Sequence, residues 1–271
     1  MCTIVALRGR GVAPLFVAAN RDEYIARAAS PTQVFQETPR IVAGRDEASG
    51  GTWFGATATG FFAGLTNQRA WVATASATSR GSVVADILRA GSTEAALEVL
   101  TKLDPSTVAA FNLLFGDAEN LHVAYARPEG VRTEALPHGI HVLANDELRS
   151  ETMPKTAYAE DLAAQLHDGR ADLDTICFGL ERLLCDETEP HPDEVPMPPA
   201  GSALSHPMAV HLQRLCIDPK LFGGLYGTRS ANVLAIGPKG VLRHRTSDSI
   251  PTSNAFRDVT SLYDDQRGSM L

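Results

Sequence analysis

Short apolar runs separated by glycine-rich turns fill the first third of the chain. CTIVALR (2–8) and LFVAA (15–19) are rich in Val, Ile and Leu and are joined by GRGVAP, which reads as two strands of a hairpin. The stretch 41–69 holds a second hairpin, TWFGATA and GFFAGLT, joined near Thr59-Gly60; glycines inside such strands mark bulges or close backbone approach. From Ser79 the spacing turns helical: Val83, Val84, Ile87 and Leu88, then Ala95, Ala96, Leu97, Val99 and Leu100. Gly91-Ser92 splits that pattern into two helices, with Ser92 as an N-cap. FNLLFGD (111–117), NLHVAYA (120–126) and GIHVLAND (139–146) return to strand, and helices are predicted at 154–168 and 172–185. The Pro- and acid-rich stretch 186–207 reads as a surface loop, an active-site lid or a passive connection. SANVLAIGP, GVLRHRT and AFRDVTSLY close the chain as strands.

Blocks of helix inserted between blocks of strand suit a layered α+β sandwich better than strict βαβ alternation. The 271 residues, 44% hydrophobic, support a substantial core, and residues 1–271 read as one domain. A net charge of −8 and scattered Lys and Arg argue against a nucleic-acid or anionic-membrane partner. No basic start with a long apolar region precedes the first strand, and no run approaches a membrane span, so no membrane insertion is expected. Cys2, Cys177, Cys185 and Cys216 form neither a CxxC pair nor a dense framework. The expectation is a cytoplasmic protein with reduced thiols. Glycine-rich nucleotide motifs and HExxH are absent. His191, His206 and His211 match no metal-ligand spacing, so no metal site is expected.

Cys2 is where the chemistry starts. Removal of Met1 would leave it as the N-terminus, carrying thiol and α-amine in one residue. With reference pKa values of roughly 8.5 and 7.7 to 8.0, that amine can take the thiol proton near neutral pH without a separate histidine. On position alone Cys2 also reads as the plain start of a strand, since most buried cysteines are inert.

MCTIV, AANRDE (18–23), AGRDEASGGTWFG (43–55), TNQR (66–69), FNLLFGD, LAND (143–146) and YGTRS (226–230) together resemble the NRDE family, also known as the transport and Golgi organisation family, in order along almost the whole chain. That family in turn is similar to the cysteine-type N-terminal nucleophile (Ntn) hydrolases. The resemblance implies a four-layered αββα sandwich with the nucleophile at the start of the first strand. It implies Cys2 as nucleophile, Asp22 to hold its amine, and Asn67 as an oxyanion donor. Asn145 and Arg229 would orient the amine or a substrate carboxylate. One position departs: where the acylases of the group carry an arginine three residues before the aspartate, this chain has Ala19. Arg21 is nearest but points to the opposite strand face from Asp22, whereas Asn20 shares that face and is a candidate replacement.

Asn20, Arg21 and Trp53 are candidate ligand contacts, although Trp53 with Phe54, Phe61 and Phe62 also reads as sheet core. Taken singly, Asp22 with Arg21 reads equally as a turn ion pair, Asn145 as a cap and Arg229 as a surface cation. The implied activity is hydrolysis of a non-peptide C–N or acyl bond of a small molecule, with no cofactor. The family's eukaryotic member is associated with haem mobilisation, so the resemblance also allows a non-catalytic haem-binding or haem-trafficking protein. There is no CxxCH or Cys-Pro, and His122, His141 and His211 are the axial candidates.

Overall fold

The structure, a computed structural model, describes residues 2–9, 11–69, 78–166 and 171–264. The first part of the chain forms β1 (Cys2–Arg8), β2 (Leu15–Tyr24), β3 (Ala29–Gln36), β4 (Ile41–Asp46), β5 (Phe54–Thr57) and β6 (Phe62–Asn67). Helices α1 (Arg80–Ala90) and α2 (Thr93–Lys102) follow, then β7 (Phe111–Gly116), β8 (Leu121–Arg127), β9 (Gly130–Ala135) and β10 (Gly139–Leu143). The last part holds α3 (Pro154–Gln165), α4 (Leu173–Leu184), α5 (His206–His211), β11 (Tyr226–Gly237), β12 (Gly240–Ser247) and β13 (Arg257–Asp258). Among the described residues no helix is long and apolar enough to cross a membrane.

The strands form two antiparallel sheets, six-stranded in the order β10-β1-β2-β11-β12-β13 and seven-stranded in the order β3-β4-β5-β6-β7-β8-β9. Period-two alternation sorts each strand's side chains to opposite faces. Ile4, Val17 and Ala19 of the first sheet meet Val42, Phe54 and Phe62 of the second between the sheets. Their neighbours Val5, Phe16 and Ala18 turn the other way, against Ala159 of α3 and Leu180 of α4. The outer face of the second sheet packs Ala63 and Leu113 against Val84, Ile87 and Leu88 of α1. Three apolar layers between four structural layers give the expected αββα sandwich.

β1 runs over the residues its pattern predicts. Gly91, at φ 74°, ends α1, and the Ser92 hydroxyl accepts from Ala95 N at 3.2 Å to start α2. β2 is longer than predicted because Asn20-Arg21-Asp22-Glu23 stays in the sheet. β11 pairs with that polar stretch, Tyr226 opposite Tyr24, Gly227 opposite Glu23 and Thr228 opposite Asp22, and so supplies backbone partners that burial would otherwise remove. β3, β4 and β9 are not among the predicted strands; β3 and β9 are edge strands, and β9 is largely exposed, whereas β4 is an interior strand whose short run IVAG precedes the predicted hairpin. The predicted loop 186–207 contains a 3-10 turn at Pro192–Glu194 and runs into α5 at His206. The predicted helix 154–168 ends as α3 at Gln165, and residues 167–168 lie outside the described residues.

The closing stretch AFRDVTSLY is corrected. Only Arg257–Asp258 is strand, followed by a 3-10 turn over Thr260–Tyr263. The Asp258 carboxylate accepts from Thr260 N at 2.8 Å and starts the turn. That turn carries Tyr263 inward to bond His244 Nδ1 at 2.8 Å, while His244 Nε2 faces Asn232 Oδ1 at 3.1 Å.

Burial lowers the His244 pKa to about 4, against roughly 6.5 in an unfolded chain. The neutral ring therefore contributes stability that is fully present above pH 6.5 or so and is lost as pH falls towards the folded value. The expected loss over that window is about 3 kcal/mol. Urea unfolding from pH 7 to 4 should show this slope, and His244→Gln should flatten it; an equal slope in both proteins assigns it to other groups.

Candidate active site

Cys2 opens β1 and is buried, with Arg21 of β2 as its direct antiparallel partner. Residues directly opposite each other share a face, so the Arg21 side chain stands on the thiol's side. Asn20 does not. Its Nδ2 donates to Leu184 O at 2.8 Å and Leu215 O at 2.9 Å, which ties it to the end of α4 and to the segment after α5. The place read for Asn20 as a substitute for the acylase arginine is thus corrected: alternation turns it away, and Arg21 is the cation beside the thiol.

A cavity of about 370 Å³ opens over the thiol, and Arg21, Asp22, Trp53, Asn67 and Arg80 are among its lining residues. Asp22 Oδ1 accepts from Thr228 Oγ1 at 2.6 Å. The Cys2 main-chain nitrogen donates to Asn145 Oδ1 at 3.0 Å, and Asn145 Nδ2 donates to Asn67 O at 2.7 Å. One buried carboxamide thereby links the nitrogen of Cys2 to the end of β6. The Asn67 carboxamide itself has no hydrogen-bond partner among the described residues and faces the cavity. The expected removal of Met1 concerns a residue outside the described ones.

Burial pushes the Cys2 thiol above its ordinary value and the Asp22 charge adds to this, while a hydrogen bond with the Asp22 main chain and the Arg21 charge favour thiolate. Burial also raises the Asp22 carboxyl, against the Lys155 charge and the Thr228 hydroxyl, which lower it. A thiol held protonated by burial needs a proton acceptor at hand before it can attack a carbonyl.

The aromatic wall is held by close backbone approach. The Arg21 guanidinium lies 4.1 Å from the Trp53 ring centroid, a cation–π stack. A Cβ on Gly44 would come within 2.6 Å of the Trp53 ring, and one on Gly51 within 2.3 Å of the Gly81 backbone. Thr52 N also donates to Gly81 O at 3.0 Å. These contacts dock the start of α1 against the GGTW segment and bring Arg80 to the cavity.

Arg229 does not line the thiol cavity, although its charge acts on Arg21. It lies at a register shift between Thr228 and Ser230, where the bulge turns its side chain towards the 24–27 turn. Its Nη1 bonds Tyr24 O, Ile25 O and Arg27 O at 3.1, 2.5 and 3.1 Å. Arg229 Nη1 thus clamps that turn, while the Cys2 nitrogen is held by Asn145. His122 stacks on Phe115, His141 faces Pro137 O and His211 pairs with Glu189. None of the three lines the thiol cavity.

Arg80 and Lys155 belong to the site and were missed. Each is a cation in the first turn of a helix, where the helix dipole disfavours positive charge. That misplacement is the signal the sequence offers. Lys155 is fully buried, with Nζ on Leu212 O at 3.4 Å, and burial lowers its pKa against the Asp22 and Cys2 charges.

The family model for Transport and Golgi organisation 2 matches residues 1–245 of the chain. Among curated protein sequences there is no match. Solved structures similar to it include a mutant of the conjugated bile acid hydrolase from Clostridium perfringens, at TM-score 0.50 and 10% identity, covering 98% of this chain and 95% of that one. The N-acylethanolamine-hydrolyzing acid amidase ortholog of Caenorhabditis elegans aligns at 0.53 and 10% identity, over 87% and 92% of the two chains. Penicillin V acylase from Agrobacterium tumefaciens aligns at 0.50 and 14% identity, over 97% and 87%. At these identities the likeness establishes the fold, that of the Ntn hydrolases.

The contacts of Arg229 Nη1 with three carbonyls of the 24–27 turn make Arg229 a stabilising residue. Arg229→Met should cost about 2–4 kcal/mol of unfolding free energy while leaving the rate of Cys2 thiol labelling in the folded protein within about twofold. A labelling rate that falls with stability unchanged would return Arg229 to the reacting centre.

Proposed function

We infer that this chain, which belongs to the Transport and Golgi organisation 2 family, is an N-terminal-cysteine hydrolase acting on a non-peptide C–N bond, or another acyl bond, of a small molecule. One observation carries the reading: the Cys2 nitrogen is held 3.0 Å from Asn145 Oδ1, and Cys2 itself lines a cavity of about 370 Å³. With Met1 removed, that nitrogen is an α-amine already oriented on the residue that bears the nucleophile. The Ntn-hydrolase fold, shared with an acylase and an acid amidase, supports the same reading.

The reaction starts with transfer of the thiol proton to the amine, directly or through one water. The sulfur attacks the carbonyl carbon, and the oxyanion that develops accepts a hydrogen bond from the Asn67 carboxamide. Collapse breaks the C–N bond, and the Cys2 ammonium returns its proton to the departing amine. Water then attacks the thioester, again giving a proton to the Cys2 amine, and releases the acid and the free thiol. Asp22 favours the ammonium form, and Asn145 fixes its direction. Burial of the thiol suits this cycle, because thiolate is made only when the adjacent base accepts a proton.

Two measurements test the reading. Intact mass before and after treatment with a cysteine-directed acylating probe should show loss of Met1 and an adduct on the N-terminal peptide that is absent in Cys2→Ala. Retained Met1, or labelling of that peptide unaffected by the substitution, overturns it. Asn67→Ala should slow acylation about a hundred- to a thousandfold with an unchanged melting temperature, measured by stopped-flow labelling and calorimetry; an unchanged rate removes Asn67 from the mechanism.

A further inference from the structure

We propose that Arg80 is an anion receptor that selects acyl substrates carrying a carboxylate within a few atoms of the scissile carbonyl and an apolar acyl body. This rests on the hydrolase reading above and names the substrate class of that site. A second cavity of about 770 Å³ adjoins the first, and Asn67 and Arg80 line both. Its walls include Val195, Leu204, Met208, Leu212, Phe222 and Leu225, an apolar surface of the kind that takes up hydrocarbon. The part of the loop 186–207 that carries Val195 and Leu204 thus forms a wall of this cavity. Asn145, which holds the Cys2 nitrogen, lines it as well. A carbonyl at the thiol with its oxygen on Asn67 therefore sits where the polar and the apolar cavities meet.

The cations around this junction differ in what they already hold. Arg27 pairs with Asp46 at 2.7 Å, and Arg69 with Asp146 at 3.4 Å. Arg21 stacks on Trp53 with Glu23 and Asp46 each at 3.9 Å. Arg80 forms no ion pair among the described residues, and the hydrogen bond it makes there, to Ala110 O, is 3.5 Å long. It is half-buried and fixed at the start of α1, where Ser79 Oγ accepts from Gly81 N and Gly81 meets Gly51. A fixed guanidinium with no ion-pair contact among the described residues, in the field of Glu23 and Cys2 and partly removed from water, favours an anionic partner, and a planar carboxylate matches its fork. Its place beside Asn67 sets the anion close to the reacting carbonyl, and the larger cavity takes the acyl chain.

N-decanoylglycine, its neutral analogue N-decanoylethanolamine, and N-acetylglycine separate these elements. Wild type should hydrolyse N-decanoylglycine with a kcat/KM about ten- to a hundredfold above either of the others. Arg80→Met should abolish the preference over the ethanolamide, and Arg80→Lys should keep part of it. An equal loss on both decanoyl amides in Arg80→Met assigns Arg80 to the thiol or to folding and overturns the proposal, with the hydrolase reading intact. The same amides are titrated calorimetrically into Cys2→Ala and into Cys2→Ala with Arg80→Met, which separates binding from turnover. Tighter binding of N-decanoylglycine that disappears with Arg80 supports the proposal even where wild type turns nothing over, a result that counts against the hydrolase reading alone. Equal binding of the two decanoyl amides, or binding of neither, overturns it.

Discussion

The antiparallel register of β1 on β2, which sets Cys2 opposite Arg21, is the constraint on which the rest of the site depends. A slip of one residue would exchange the faces of every side chain in the pair. It would carry Arg21 to the helical side and bring Asn20 to the thiol. What prevents the slip is apolar: Ile4, Val17 and Ala19 are buried between the sheets, and Val5, Phe16 and Ala18 against α3 and α4. Because both faces of this sheet are covered, no alternative register avoids exposing hydrocarbon or burying an unpaired amide. The core thus positions polar residues that contribute little to it.

Burying Asn20, Asp22, Asn145 and Lys155 is unfavourable unless each finds partners, and the partners divide the residues by task. Asn20 places its Nδ2 on the carbonyls of Leu184 and Leu215, and Arg229 places its Nη1 on the 24–27 turn. Both hold backbone. Asn145 bonds through both ends of its carboxamide, to the Cys2 nitrogen and to Asn67 O, so its satisfaction orients the reacting group. Asn67 and Arg80 face two cavities with donors that the described protein does not occupy. Residual hydrogen-bonding capacity, more than proximity to the thiol, separates groups that meet a substrate from groups that hold the fold.

The architecture was largely legible because periodicity reports which face of an element is buried. The run CTIVALR and the helical spacing from Val83 to Leu100 placed β1, α1 and α2, and Gly91-Ser92 marked the helix boundary. Edge strands β3 and β9 escaped, since an exposed edge carries polar residues and no apolar run. AFRDVTSLY misled for the opposite reason: its apolar Val259 and Tyr263 are buried through a turn that Asp258 starts.

For the site, sequence alone determined the cast: a cysteine at position 2, a polar NRDE stretch just after a predicted strand, and the asparagines Asn67 and Asn145 near strand ends. Those are local properties, readable from residue type and neighbours. Which of them meet was decided only in three dimensions. Asn145 reaches the Cys2 nitrogen across 143 positions of chain, the bulge at Arg229 turns that cation onto the 24–27 turn, and Gly51 on Gly81 docks Arg80 at the cavity. Contacts of that range depend on sheet register and close backbone approach, and no local pattern of side chains encodes either.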